Sequence, residues 1–340
     1  MMKAYNLVQV NDLRYEDVKM PELQCGWALV EVRACGICSS DIPRIFSKGT
    51  YHFPTIPGHE FSGIVVQVAD ECDREWLNKR VSVFPLIPCK KCPSCQQKHY
   101  ETCSNYNYLG SRCDGGFAEY VAVPVWNLIE LDDNISFEVG AMFEPLAVAL
   151  HCVNQARLQG NERVAVIGNG TIAFAIAQWA EYKNVKSVCV IGRTDNKKQI
   201  SQSLNIEYYT ADKIAGQEFD VVIEAVGTNE SLNSSINLAA SGGRVVLMGN
   251  PYGDMVIPQQ TYWRILRKQL EIIGTWNSSY DGKEFSEWME VRSALTDKKI
   301  DAAALITHRF HQSDLMDGLK LMKEHKEPYC KIITLWNEGK

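Results

Sequence analysis

The feature that most constrains this fold is a rhythm that begins near residue 160. Short apolar runs at 163–167, 188–191, 220–223, 244–248 and 270–273 alternate with spans that suit helices at 171–182, 197–204, 231–240 and 262–268. Strand and helix in alternation predict βαβ units, a parallel sheet and right-handed crossovers. The runs are apolar throughout rather than alternating, as expected of strands buried on both faces. Before residue 150 the texture differs. Runs at 29–32, 63–68 and 80–83 are separated by Gly, Pro and long connections, which predicts a mostly-β region. Beyond it, a helix is expected over 285–295, then a basic-tipped turn and a last strand over 330–335, whose packing partner the pattern leaves open.

The chain has 340 residues, or about two domains at roughly 150 residues each. With 35 basic against 41 acidic residues it has little with which to neutralise a nucleic acid, so no nucleic-acid partner is expected. There is no run of about 18 apolar residues to span a membrane and no apolar segment near the start to act as a secretory signal. The 12 cysteines are therefore expected as reduced thiols in a cytoplasmic protein, some of them metal ligands.

Cys89, Cys92, Cys95 and Cys103 lie close enough in sequence to close a tetrahedron of thiolates around Zn²⁺. All four ligands are sulfur and no position is left for a substrate, so the expected role is structural, ordering a lobe near 89–103 that has few apolar residues of its own. Incidental cysteines or a disulfide pair are one alternative; a nucleic-acid-binding zinc ribbon is the sharper one, and the acidic chain argues against it. A second set is dispersed: Cys38, His59 and Glu144, with Glu60 beside the histidine. One thiolate, one imidazole and one carboxylate would leave a fourth coordination position open, as a catalytic zinc needs, but spacing alone is a weak sign of it.

Val166 to Ala173 follows an expected strand and opens an expected helix. In that context Gly168 suits the bend of a pyrophosphate turn, Gly170 admits a close backbone approach, and Thr171 and Ile172 start the helix whose N-terminus faces the anion. Ala173 stands for the third glycine and the bulky Phe174 follows it. This is the fingerprint of a Rossmann doubly wound parallel sheet. At the end of the second strand, where NAD-dependent folds carry Asp or Glu, this chain has Gly192 and Arg193. A missing carboxylate and an added guanidinium favour a 2′-phosphate, hence NADP(H). The alternative is NAD(H), with Arg193 stacked on adenine. Asp195 is expected to cap the next helix.

Five motifs in the same order carry a resemblance over nearly the whole chain: residues 36–41 around Cys38, 58–63 around His59, the four-cysteine lobe, Glu144-Pro145-Leu146, and the glycine turn. Together they resemble the zinc-dependent medium-chain dehydrogenases, and most of all their polyol branch. The stretches 43–46 and 110–120 are similar to those of enzymes acting on galactitol 1-phosphate. The resemblance implies a GroES-like, mostly-β catalytic domain over 1–153 and 286–340 and a Rossmann nucleotide domain over 154–285. It implies two Zn²⁺ per chain: a catalytic ion on Cys38, His59 and Glu144, with Glu60 able to approach or replace a ligand, and a structural ion in the cysteine cage. It assigns Asp41 to orienting His59 and Ser40 to the proton relay. Val226 and Gly249 join the cofactor site.

The implied activity is hydride transfer between a nicotinamide cofactor and a secondary hydroxyl or ketone of a polyol or polyol phosphate, of the galactitol 1-phosphate or ribitol 5-phosphate type. A phosphorylated substrate needs cations, and Arg44, Lys48 and Arg112 are the candidates, with solvated surface charge as the alternative for each. Trp276 suits either a substrate pocket or a core. Other functions in view are an unphosphorylated polyol, another secondary-alcohol or amino-alcohol dehydrogenase, and a non-enzymatic zinc- and nucleotide-binding redox sensor. The resemblance also implies a homodimer or homotetramer assembled through the nucleotide domain, with the strand at 270–273 as a candidate edge.

Overall fold

A computed structural model describes residues 1–214, 216–282 and 286–337. The chain forms two compact units. One comprises Met1–Glu144, Ser279–Asp297 and Ile306–Lys340; the other comprises Pro145–Ser278 and Lys298–Leu305. The division falls inside the helix Phe143–Ala156, earlier than the residue-153 limit expected for the first domain. Phe285, where the expected nucleotide domain ends and the expected helix begins, lies outside the described residues.

The first unit is built on an open seven-stranded sheet. Its order is Ile306–His311, Lys331–Leu335, Trp27–Ile37, Glu60–Val68, Arg80–Val83 and Leu128–Glu130, and Tyr120–Pro124 also pairs with Trp27–Ile37. The last strand thus returns to the first unit, antiparallel to Trp27–Ile37. The strand Trp27–Ile37 is buried along almost its whole length, because neighbours pair with it and the core closes over it. Fully buried Tyr5, Leu7, Ile37, Ile45, Phe61 and Phe117 are among the side chains that fill that core. A helix at Glu287–Thr296 also belongs to this unit, and its buried Trp288 stacks edge-on against Phe84 at 5.3 Å.

The second unit carries a six-stranded parallel sheet: β1 (Arg163–Ile167), β2 (Ser187–Gly192), β3 (Glu207–Thr210), β4 (Phe219–Glu224), β5 (Ala239–Leu247) and β6 (Glu271–Gly274). Their spatial order is β3-β2-β1-β4-β5-β6, with every pair parallel. The direction of winding reverses between β1 and β4, and in such sheets ligands bind beyond the carboxyl ends of the strands at that reversal. The expected strand β1 and the helix Thr171–Tyr182 agree with the structure residue for residue. The helix expected over 231–240 occupies Asn229–Leu238 instead, because Thr228 and Ser231 form a capping box at its start and Ala239 already belongs to β5. Strand β3 had no sequence signal, as its four residues include exposed Glu207 and two half-buried tyrosines.

Candidate functional site

Strand register assembles the dispersed cluster. Gly36 pairs with Glu60 across the antiparallel strands, so Cys38 lies just past the end of one strand and His59 just before the start of the other. The Cys38, His59 and Glu60 ligand atoms lie within 4.8 Å of one another. Gly36 leaves the space: a Cβ there would stand 2.3 Å from Glu60 Oε2. His59 and Glu60 are buried, and the Nδ1 of His59 has no hydrogen-bond partner. Buried thiol, imidazole and carboxylate donors converging at this separation fit a divalent metal, and the orphaned imidazole nitrogen fits a site that is completed by an ion.

Glu144 stands apart from this three-residue cluster. Its Oε1 accepts a hydrogen bond of 3.0 Å from the Tyr108 hydroxyl, whose ring centroid lies 5.8 Å from that of His59. Burial pushes the Glu144 carboxyl up to about 8, with His59 opposing the shift and Glu60 adding to it. Burial also pushes the Cys38 thiol up, to about 11, and the Glu60 charge adds to that shift. Glu60 has a cationic partner. Lys331, buried in the last strand, donates to Glu60 Oε2 at 2.5 Å and to the Ile37 carbonyl at 3.3 Å.

The other expected members are placed as follows. Ser40 Oγ donates to Cys38 Sγ at 3.3 Å. Asp41 is fully buried, but its Oδ1 is 3.6 Å from His59 Nδ1, too far for a hydrogen bond. It instead accepts the Cys38 backbone N–H at 3.0 Å and the Arg44 guanidinium at 2.5 Å. Arg44 is therefore occupied by a carboxylate. Arg112 stacks over the Tyr51 and Tyr106 rings, at 4.1 and 4.4 Å from their centroids. Lys48 is exposed, and Trp276, half exposed, is no core residue.

The second cluster is a cage. The sulfurs of Cys89, Cys92, Cys95 and Cys103 lie within 4.8 Å of one another. Cys89–Cys95 and Cys92–Cys103 are 3.9 and 3.8 Å apart. A tetrahedron with Zn–S bonds of about 2.3 Å has edges of about 3.8 Å, whereas a disulfide would bring sulfurs to about 2.05 Å. The cage therefore fits a tetrahedral ion. Backbone N–H groups pull the Cys92 thiol down to about 5, while burial pushes Cys95 up to about 12.

In the second unit the ends of β1, β4 and β5 come together. Gly168 adopts φ +121°, a conformation open to glycine, and its N–H bonds to the Ile191 carbonyl. Gly170 caps the helix Thr171–Tyr182 without a side-chain acceptor, and a Cβ on it would meet nothing within 4 Å. A long helix with an uncapped N-terminus and open space before it fits a pyrophosphate. The Glu224 carboxylate accepts the Val226 and Gly227 N–H groups and shapes the loop beside Gly168, while the Gly249 N–H bonds to the Glu224 carbonyl. Arg193 is exposed. Asp195 does not cap a helix: Thr194 holds the cap position, and Asp195 pairs with Lys213 at 3.3 Å.

Sequence reasoning missed Tyr108 and Lys331. Tyr108 carries no pattern. Lys331 did leave a sign, as a lone charge inside an apolar strand.

A GroES-like unit with a three-donor cluster and a cysteine cage, together with a doubly wound unit with an open glycine turn, defines the zinc-dependent alcohol dehydrogenase class. Residues 24–133 match the alcohol dehydrogenase GroES-like domain and residues 170–294 the zinc-binding dehydrogenase domain. Galactitol 1-phosphate 5-dehydrogenase of Escherichia coli strain K12 is 31% identical over 291 residues, 82% of this chain and 84% of that protein. The chain therefore belongs to the zinc-dependent medium-chain alcohol dehydrogenase family, and it is an oxidoreductase of that family. The solved structure of galactitol-1-phosphate dehydrogenase from Escherichia coli has a TM-score of 0.89 and 29% identity, covering 98% of this chain and 100% of that one. L-threonine 3-dehydrogenase of the same strain is 27% identical over 352 residues, 99% of this chain and 100% of that protein. A zinc-binding dehydrogenase from Sinorhizobium meliloti 1021 bound to NADP has a TM-score of 0.86 and 28% identity, covering 98% of this chain and 99% of that one.

The Lys331–Glu60 pair is testable without any activity. Removing one partner of a buried ion pair leaves an uncompensated charge that costs about 3 kcal/mol or more. Lys331→Met should lower the unfolding free energy of the metal-free protein, measured by urea denaturation, by that amount, and Glu60→Gln/Lys331→Met should recover part of it.

Proposed function

We propose that the protein is a zinc-dependent, NADP(H)-preferring dehydrogenase that oxidises a secondary hydroxyl of a polyol phosphate, of the galactitol 1-phosphate or ribitol 5-phosphate type, to the ketone. The observation that carries this reading is the Cys38–His59–Glu60 cluster with Glu144 beside it, because three protein donors leave a coordination position for a substrate oxygen. Glu60 and Glu144 are alternative carboxylate ligands, each with a partner of its own. A zinc ion held there would supply Lewis acidity, and NADP(H) would supply the hydride chemistry.

The chain's own residues position and move the proton. Ser40, within hydrogen-bond reach of Cys38 Sγ, receives the substrate's hydroxyl proton and passes it on as the carbon gives up hydride. Asp41 fixes the Cys38 backbone. Cys89, Cys92, Cys95 and Cys103 hold the second, structural zinc, which makes two ions per chain, and these thiolates require the reducing conditions of a cytoplasmic protein.

In the second unit Gly168, Gly170, Thr171 and Ile172 form the pyrophosphate turn, Val226 and Gly249 line the strand ends, and Gly192 with Arg193 favours a 2′-phosphate over the NAD(H) alternative. Arg112, held over two tyrosine rings, is the cation for the substrate phosphate. Arg44, bonded to Asp41, supports that segment rather than binding substrate directly. Trp276 remains a candidate pocket wall. A homodimer or homotetramer is part of the reading, supported by the position of β6 at the end of the sheet among the described residues and by the exposed Trp263, Leu266 and Ile272.

Three measurements test this. Cys38→Ala should reduce zinc from two ions per chain to one and abolish turnover while NADPH still binds; a variant that keeps its activity removes the cluster from the mechanism. The NADPH dissociation constant should be at least about tenfold below that of NADH, some 1.4 kcal/mol, by fluorescence titration. Across galactitol, ribitol and their phosphates, kcat/KM should favour the phosphates, and Arg112→Ala should remove most of that preference. Equal rates with free polyols would favour an unphosphorylated substrate.

A further inference from the structure

Gly192 ends β2 in a buried position, and the space beside it is already taken. A Cβ at this residue would stand 1.7 Å from Tyr208 Oη, 2.6 Å from Tyr208 Cζ and 2.8 Å from Asn169 Nδ2. Tyr208 belongs to the neighbouring strand β3, where it pairs with Val190 while Thr210 pairs with Gly192. Its hydroxyl accepts a 2.9 Å hydrogen bond from Asn169 Nδ2 and donates one of 2.5 Å to the Thr194 carbonyl. Asn169 is the residue between the two glycines of the turn, and Thr194 directly follows Arg193. One phenol therefore roofs Gly192 and ties the glycine turn to the segment that carries the exposed arginine.

We propose that Tyr208 is a positioning residue that sets cofactor specificity together with Gly192. The phenol occupies the place of the acidic side chain that would bind a ribose 2′-hydroxyl, and it holds the 193–194 segment ready for a 2′-phosphate. The proposal rests on reading the glycine turn as a dinucleotide site, and it deepens the NADP(H) preference. It makes a claim that Arg193 alone does not. An acidic residue at 192 is sterically excluded while Tyr208 is present, so the preference resides in a coupled pair and cannot be reversed at one position. Arg193 lies in an exposed segment, and a segment already held by hydrogen bonds loses less freedom when it closes on a ligand.

The test is equilibrium titration of the full-length protein with NADPH and NADH, read by nucleotide fluorescence, alongside the thermal midpoint. Tyr208→Phe keeps the ring and loses both hydroxyl bonds. It should reduce the NADPH-over-NADH affinity ratio by about fivefold, chiefly through weaker NADPH binding. Gly192→Asp should lower the thermal midpoint and weaken both cofactors. Adding Tyr208→Ala should restore much of the midpoint and turn the preference towards NADH. An unchanged ratio in Tyr208→Phe overturns the proposal, as does a Gly192→Asp protein that keeps its midpoint and prefers NADH without the second change. Should Gly192→Asp fail to fold, Tyr208→Phe decides alone. A wild-type protein that binds NADH as tightly as NADPH refutes the NADP(H) reading. Recovery of the Gly192→Asp midpoint by Tyr208→Ala would still support the coupling of the two positions, and its absence would overturn that too.

Discussion

The register of three antiparallel strands is the constraint on which the first unit's chemistry depends. Gly36 opposite Glu60 and Ile37 opposite Ile332 bring the ends of Trp27–Ile37, Glu60–Val68 and Lys331–Leu335 to one place. Cys38, His59, Glu60 and Lys331 meet there, although the sequence separates the first from the last by most of the chain. Because side chains alternate across a strand, a slip of one residue in either pairing would turn Glu60 or Lys331 to the opposite face. The packing that fixes this register, with Ile37, Phe61 and Ile332 all buried, is thus also what fixes the donor set.

That donor set is electrostatically expensive to bury, and the structure offsets the cost differently for each acid. Glu60 has the buried ammonium of Lys331. Glu144 has a neutral phenol, and burial favours its protonated form. Burial likewise favours the protonated thiol of Cys38. An ion entering the cluster must therefore displace protons as well as water, so its affinity should rise with pH across the range where these groups titrate. Of the two carboxylates, Glu60 sits beside the buried ammonium of Lys331, while burial leaves Glu144 favouring its protonated form. This is a physical ground for Glu60 to lie within the cluster while Glu144 stands apart from it.

Much of this was legible from the chain alone, for reasons that differ by region. The doubly wound sheet could be read because its inner strands β1, β2 and β4 are buried and spell themselves as apolar runs. The cysteine cage could be read because its four ligands are local. The dispersed cluster was not legible from spacing, since register between distant strands decides it; only resemblance joined Cys38 to His59, and resemblance alone left Glu60 and Glu144 unresolved. Asp41 and Arg44 show the limit on the scale of one turn. Each was expected to face the site separately, as an orienting acid and a substrate cation, and the structure pairs them with each other. Strand β3 escaped notice because it lies at the sheet edge, where exposure removes the apolar signal.

Fold and family fix the reaction class more tightly than the substrate, and the positions involved explain why. The metal donors and the glycine turn sit at strand ends, where backbone geometry allows few residue types. Arg112, Tyr51 and Tyr106 lie outside the long strands, where neither period nor register constrains the sequence. Such positions change without cost to the core, and they are where one scaffold acquires different substrates. Relatives named for a sugar-alcohol phosphate and for an amino acid stand at similar distances from this chain, 31% and 27% identical, and this is what such a division of labour produces.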